Sequence, residues 1–310
     1  MRRIPTIPPD VSIHGWLVID KPAGITSSRV VEKLRRATGS KAGHAGTLDP
    51  LATGVLPIAV GEATKTVQFV SAGCKRYRFR IRWGEARDTD DREGAIIGES
   101  TVRPDAAAIR ATLPRFTGRI MQRPPAFSAL KVAGRRAYAL ARAGRPPELA
   151  LRPVEISELH LIAVDEPDHA EFEAAVGAGT YIRALARSLA EALGTLGHIA
   201  ELRRLAVGRF GEAQAISLDS ALALGHSLAA SEHLLPIETA LDDIPALALT
   251  AMEATRLCHG QRVTPQDAGE RARLDRIENG TIVGARHDRL LVALARIDEG
   301  GLRPVRVINR

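Results

Sequence analysis

Two short stretches hold residue types that can do chemistry. Residues 43–54 read Gly-His-Ala-Gly-Thr-Leu-Asp-Pro-Leu-Ala-Thr-Gly and carry one imidazole, His44, and one carboxylate, Asp49. Pro50 restrains Asp49 to extended torsions. Loops held between regular elements are where reactive side chains commonly sit. Asp49 is therefore either a turn-making Asx residue or a reactive carboxylate. His44 is an ordinary surface histidine or one half of a metal pair with Asp49, a pair with no evident third ligand. The second stretch is Gly179-Thr180-Tyr181-Ile182-Arg183 at the start of a helical pattern. A cation in a helix's first turn opposes the macrodipole. Arg183 thus makes a surface salt bridge, or it reaches a partly buried carboxylate and holds it ionised. Spacing alone does not name that carboxylate.

The elements that must position these residues follow from periodicity and turn residues. Residues 1–12 read as a flexible arm. Trp16-Leu17-Val18-Ile19 is a buried strand that stops at Lys21-Pro22-Ala23-Gly24. Thr26 and Ser27 cap a helix with Val30, Val31 and Leu34 on one face, and Gly39 ends it. Residues 55–60, between Gly54 and Gly61, suit a central strand. Residues 76–83 alternate strictly, with Tyr77, Phe79, Ile81 and Trp83 on one side and four arginines on the other. That arginine face is solvated or meets phosphates. Phe172, Ala174 and Val176 alternate before a helix running from Thr180 to about Leu193, which Gly194 ends. Strands and helices mix without a regular βαβ period. The fold class is α+β, with a mixed, mostly antiparallel sheet flanked by helices. A linker-like stretch near residues 236–250 precedes short strands at 262–263, 281–283, 290–294 and 305–307. A β-rich module of that size must pack on the main body. The expected domains are 1–245 and 246–310.

Lys and Arg number 43 against 36 Asp and Glu, a net charge of +7. The excess is local. Residues 119–152 hold eight cations against one acid, Glu148, as large a surplus as that of the whole chain. An uncompensated cluster repels itself unless a polyanion neutralises it, so this segment reads as a nucleic-acid clamp rather than a solvated insertion. Prolines and glycines make it a projecting loop with a short helix near residues 137–143. There is no GxxxxGK[ST], GxGxxG after a strand, HExxH or GxSxG. No nucleotide, dinucleotide or metal cofactor is expected. Cys74 and Cys258 stand alone, no apolar run approaches a membrane span, and the basic N-terminus has no apolar core. The expectation is a cytoplasmic protein with reduced thiols.

These residues together resemble the bacterial tRNA pseudouridine synthases of the B type. The resemblance rests on Trp16-Leu17-Val18-Ile19-Asp20-Lys21-Pro22, His44-Ala45-Gly46-Thr47-Leu48-Asp49-Pro50 and Lys75-Arg76-Tyr77. It continues through Asp88-Thr89-Asp90-Asp91, Gly179-Thr180-Tyr181-Ile182-Arg183 and Leu202-Arg203-Arg204. Order and spacing agree along nearly the whole chain. Two positions depart from the pattern: Arg87 stands where a hydroxyl residue is expected, and Leu205 where Thr is.

The resemblance implies a pseudouridine-synthase fold with a PUA-like RNA-binding module over residues 246–310. It implies isomerisation of the T-arm uridine of tRNA, position 55, with no cofactor. Asp49 would be the attacking carboxylate, at C1′ or at C6. Arg183 would pair with it, and Tyr77 would stack on the base and help remove the C5 proton. Tyr181 and Leu202 would wall the pocket, with polar contacts from Lys21 and Asp91. The uridine would be flipped out and His44 would fill the vacated stack. The basic segment over 119–152 matches the RNA-gripping insertion of stand-alone enzymes, so tRNA is the expected partner, without guide RNA or membrane, and the chain is expected to be a monomer. The competing reading is a non-catalytic tRNA-binding or RNA-folding protein on the same scaffold. A metal-dependent hydrolase using His44 and Asp49 is a remote third.

Overall fold

Strict alternation puts one strand at the heart of the molecule. In the computed structural model, which describes residues 13–132 and 134–309, Lys75–Trp83 is a strand with Lys75, Tyr77, Phe79, Ile81 and Trp83 buried. The arm expected over residues 1–12 lies outside the described residues. The arginine face of the strand meets glutamates. Arg76 pairs with Glu158, Arg78 with Glu173 and Glu171, Arg80 with Glu166, and Arg82 with Glu85. Exposed pairs of this kind contribute little stability, ~0–1 kcal/mol each. They do leave the face without surplus charge for phosphates.

The strand belongs to a ten-stranded mixed sheet. Its path runs Ile216–Ser217, Gly15–Lys21, Thr53–Val60, Gly197–Val207, Lys75–Trp83, His169–Val176, Arg152–Glu166, Gly118–Gln122. Ala42–His44 pairs with Thr53–Val60, and Phe210–Gly211 with Gly197–Val207, off that path. Two pairs are parallel, Gly15–Lys21 with Ile216–Ser217 and Gly197–Val207 with Thr53–Val60; the others are antiparallel. This is the α+β, mostly antiparallel arrangement that the sequence pattern predicts. Arg152–Glu166 goes unseen in that pattern because bulges after Ile156 and Leu161 reset its alternation.

Two of the helices that cover the sheet bear on the site. Ser27–Thr38 starts where the Thr26 hydroxyl accepts the Arg29 N–H at 3.2 Å, and it ends at Gly39 with φ 65°. Ile182–Ala192 follows Tyr181. Val30, Leu34, Leu185 and Leu189 share one core with Leu17, Phe79, Trp83 and Phe172. On the other face, Trp16, Val18, Val55, Val207 and Phe210 form a second cluster. Leu291, Leu294 and Ile308 close it.

Leu291 and Leu294 come from a separate four-stranded sheet, Ala246–Ala248, Ile282–His287, Leu290–Asp298 and Gly301–Val307, and Ile308 directly follows its last strand. The strand expected at 262–263 is a single bridge from Val263 to Leu302. Polar ties fasten this part of the chain to the helical turn Gly61–Thr66, which follows the strand Thr53–Val60. Lys65 Nζ donates to the Val307 carbonyl at 2.7 Å, and the Asn309 N–H donates to Glu62 at 2.7 Å. The basic segment contains a small hairpin, Lys131–Val132 with Arg135–Arg136, and the helix Ala137–Arg142. Arg135, Arg136, Arg142 and Arg145 are exposed there.

Candidate active site

Asp49 sits in the loop between the strands Ala42–His44 and Thr53–Val60, and the sequence fastens that loop from several sides. Leu48, Leu51 and Ala52 are anchored in the core. The buried Ser27 hydroxyl accepts the Leu48 N–H at 2.8 Å and donates to the Leu48 carbonyl at 3.0 Å. The Gly24 N–H donates to the Pro50 carbonyl at 2.8 Å. Lys21 lies behind the loop, fully buried, and its ammonium donates to the carbonyls of Pro22, Ile25 and Pro50 at 2.8, 2.8 and 3.2 Å. Burial lowers the Lys21 pKa to about 8, against the pull of the Asp49 charge.

Arg204 holds the loop from below. It follows Arg203 on a strand, so alternation sends the two side chains to opposite faces. Arg203 turns out to Asp20 and Glu212. Arg204 turns in, fully buried, and donates to the carbonyls of Val55, Gly46 and Thr47 at 2.8, 2.9 and 3.4 Å. The strands approach closely here. A Cβ on Gly54 would lie 2.2 Å from the Arg204 carbonyl, at a φ of +96° that glycine alone adopts readily.

Arg183 meets Asp49 face to face. Its Nε donates to Asp49 Oδ2 at 2.8 Å and its Nη2 to Oδ1 at 3.0 Å, a bidentate pair. The remaining donors reach the Thr89 carbonyl at 2.7 Å and the Phe127 carbonyl at 2.9 Å, and Asp91 Oδ2 lies 3.5 Å away. The Arg183 side chain is 4% exposed, that of Asp49 33%. Burial opposes the Arg183 charge, but Asp49 and Asp91 outweigh it and raise its pKa above the ordinary arginine value. Asp91 is itself buried and accepts from the Thr89 hydroxyl at 2.7 Å and the Glu93 N–H at 3.0 Å. One guanidinium thus sits between two carboxylates, and only Asp49 presents an edge to solvent.

That edge opens on a cavity of about 250 Å³ whose walls include Tyr77, Tyr181, Leu202, Lys75 and Ser128. It is smaller than the ~300–1,000 Å³ of sites for drug-sized ligands and suits one planar ring beside a carboxylate. Burial raises the pKa of the Tyr181 phenol. A larger open hollow of about 710 Å³, near Arg110 and Leu161, is lined by no carboxylate. Among the described residues, no group of three or more His, Cys, Asp or Glu is placed to hold a metal ion.

The structure therefore gathers Asp49, Tyr77, Tyr181, Arg183 and Leu202 around one cavity, with Asp91 behind Arg183. It places His44 outside that cavity, in a separate hollow with Ser28, Val31 and Arg35. Burial lowers the His44 pKa, as does the Arg204 charge, so the ring stays neutral. The sequence motif Leu202-Arg203-Arg204 contains Arg204 without assigning it a role. Two consecutive arginines on an alternating strand were the available signal, since one of them must point inward.

The family model of the TruB family pseudouridylate synthase N-terminal domain matches residues 33–182. That of the tRNA pseudouridylate synthase B C-terminal domain matches residues 183–242. The tRNA pseudouridine synthase B of Rhodospirillum rubrum is 56% identical over 299 residues, 96% of this chain and 97% of that one. The chain belongs to the TruB family. The tRNA pseudouridine synthase B of Bradyrhizobium diazoefficiens is 54% identical over 303 residues, 96% of this chain and 86% of that one. Among solved structures, an H/ACA RNP bound to a substrate RNA containing 2′-deoxyuridine superposes with a TM-score of 0.72 at 22% identity. It covers 98% of this chain and 92% of that one. The archaeal box H/ACA sRNP Nop10-Cbf5 complex gives 0.71 at 25% identity, covering 98% and 89%. These neighbours establish the pseudouridine-synthase fold. Within that TruB frame Arg87 has a local explanation. Its guanidinium donates to the Gly94 carbonyl at 2.9 Å and to Glu85 at 2.8 Å, closing the acidic loop with side-chain bonds. Nothing in the structure explains Leu205.

Proposed function

We propose that this TruB-family chain is an isomerase that converts the T-arm uridine of tRNA, position 55, to pseudouridine. The observation that carries the reading is Asp49, a carboxylate fixed in a fastened loop, paired bidentately with buried Arg183 and open only to a ring-sized cavity. Pseudouridine formation breaks the N1–C1′ bond, turns the base and joins C5 to C1′. N1 gains a proton and C5 loses one, so no electrons enter or leave.

In this reading the uridine is flipped into the cavity at a cost of a few kcal/mol, between Tyr77, Tyr181 and Leu202. Asp49, kept ionised by Arg183, attacks C1′ or adds to C6. Tyr77 stacks on the base and assists removal of the C5 proton. His44, as a neutral ring beside the loop, fills the vacated stack. Lys21 and Asp91 act through their neighbours, Lys21 by holding Pro50 and Asp91 by flanking Arg183. Residues 119–152 and a PUA-like module over 246–310 grip the RNA backbone, and the chain's own basic segment supports action on tRNA without a guide RNA. The test is incubation with unmodified tRNA tritiated at C5 of uridine. Tritium release from a single T-arm site is the expected result. No release would overturn the activity, and release from another site would overturn the T-arm assignment.

A further inference from the structure

Arg183 has a counterpart one turn further along its helix. Arg183 bonds the Thr89 carbonyl on one side and the Phe127 carbonyl on the other. Arg187 pairs with the Asp90 carboxylate on one side and donates to the Arg123 carbonyl at 2.7 Å on the other. Thr89 and Asp90 are consecutive in the acidic loop, and Arg123 and Phe127 lie at the root of the basic segment. Residues four apart share a helix face, so the two guanidiniums span the same two walls as parallel rungs. A third tie holds the helix start against that root. The Tyr181 N–H donates to Gln122 Oε1 at 2.9 Å, and Gln122 Nε2 donates to the Tyr181 carbonyl at 3.1 Å.

The second rung is not a solvated surface pair. Asp90 is buried, and its backbone sits at φ +60°, in the left-handed region that non-glycine residues seldom enter. Its N–H and carbonyl are also bonded, to Arg87 and Ile199. Burial raises the Asp90 pKa to about 6; Arg187 and Arg183 oppose the rise, and Asp91 and Glu191 add to it. The loop thus holds a carboxyl in an unfavourable place, and the Arg187 guanidinium meets it there.

We propose, on the reading that the chain isomerises uridine in tRNA, that Arg187 is a positioning residue for that reaction. Through Asp90 and the Arg123 carbonyl it sets the spacing of the two walls that Arg183 bonds, and so keeps both Arg183 bonds to Asp49 in register. The same rung joins the root of the RNA-gripping segment to the site where the base reacts.

The experiment is single-turnover pseudouridine formation at saturating tRNA, with tRNA affinity and thermal midpoint measured alongside. Arg187→Met keeps the aliphatic stem and removes both bonds. The rate is expected to fall about ten- to a hundredfold, the scale of a small misplacement of reacting groups, with affinity held within about twofold. Arg187→Lys reaches Asp90 but lacks the fork for both walls, so it restores the rate only in part. Asp90→Asn tolerates the left-handed backbone. The double variant should be no slower than Arg187→Met alone, because both changes break one rung. In the wild type the rate should fall as pH drops through about 6 and Asp90 takes up a proton; Asp90→Asn should lack that step. An Arg187→Met rate within twofold of wild type, a loss carried by affinity alone, or additive single effects would overturn the proposal. If Arg187→Met does not fold, an Asp90→Asn profile that retains the step near pH 6 does the same. Wild-type protein that forms no pseudouridine overturns the functional reading instead, and the same assay separates the two.

Discussion

Replacing Asp49 by Asn keeps the side chain's shape and removes the charge that Arg183 faces. The native carboxylate accepts bonds at 2.8 and 3.0 Å from a guanidinium almost wholly withdrawn from water. An Asn amide accepts one of these and turns a donor toward the other. Breaking a buried ion pair costs ~3–5 kcal/mol. Two features lessen that cost here. Asp49 is a third exposed, and Asp91 at 3.5 Å still offsets the Arg183 charge. The expected loss is ~1–3 kcal/mol, near the worth of one hydrogen bond to a charged group. It should appear as a fall in thermal midpoint of roughly 2–4 °C per kcal/mol. On the proposed mechanism the chemical loss is larger, since no carboxylate remains to attack. Tritium release from C5-labelled tRNA should drop below detection while tRNA affinity stays within about tenfold, ~1.4 kcal/mol. Turnover comparable to wild type would refute the nucleophile assignment. A loss of affinity that accounts for the whole loss of rate would place Asp49 in binding rather than in chemistry.

Arg183→Lys should not restore the wild-type rate, because a point charge does not reproduce a guanidinium that bonds Asp49 twice and two carbonyls besides; a wild-type rate in that variant would show that charge alone suffices. The burial of Asp90 also predicts how stability depends on pH. Its pKa is about 6 in the fold against an ordinary 3.8, so the folded state binds more protons between those values. Stability should therefore fall as pH rises from about 4 to 6, by on the order of 3 kcal/mol, and level off above. Asp90→Asn should flatten that part of a thermal-midpoint profile, and an unchanged slope would count against the burial argument. Replacing Arg135, Arg136 and Arg142 with Ala should weaken tRNA binding. It should also make the slope of log affinity against log salt shallower by roughly two to three units if each touches phosphate. An unchanged slope would make the segment a solvated insertion.

The elements nearest the chemistry were the easiest to read. Thr26 and Gly39 bound the first helix because a hydroxyl cap and a left-handed glycine are local signals. The strand Lys75–Trp83 is legible because from residue 76 onward arginines alternate strictly with apolar or aromatic residues. The strand Arg152–Glu166 did not, since bulges shift its inward set partway along. The site was legible in its parts and not in its joins. Arg183 could be seen to need a carboxylate, but its partner lies 134 residues away, and only the motif resemblance pointed to Asp49. The bonds of Lys21 and Arg204 to loop carbonyls leave no trace in residue type, because a backbone carbonyl is the same at every position. Arg187 was invisible for a related reason: one of its two partners is the Arg123 backbone.

The strand Gly197–Val207 has a consequence for how the protein comes into being. In the sheet it lies between Thr53–Val60 and Lys75–Trp83, two strands that are close neighbours along the chain. Arg204, one fastener of the Asp49 loop, inherits that separation and reaches back 149 residues to Val55, and its neighbour Arg203 reaches back 183 residues to Asp20. Contacts of such range form late, since loop closure must precede any gain from them. A nascent chain emerges N-terminus first, so the Asp49 loop leaves the ribosome with its floor missing and an open gap in the sheet beside it. The candidate site is completed only when about two-thirds of the polypeptide has been made and the late strand slots into the middle. Until then the chain carries Asp49 and Tyr77 without the cavity they share with Leu202.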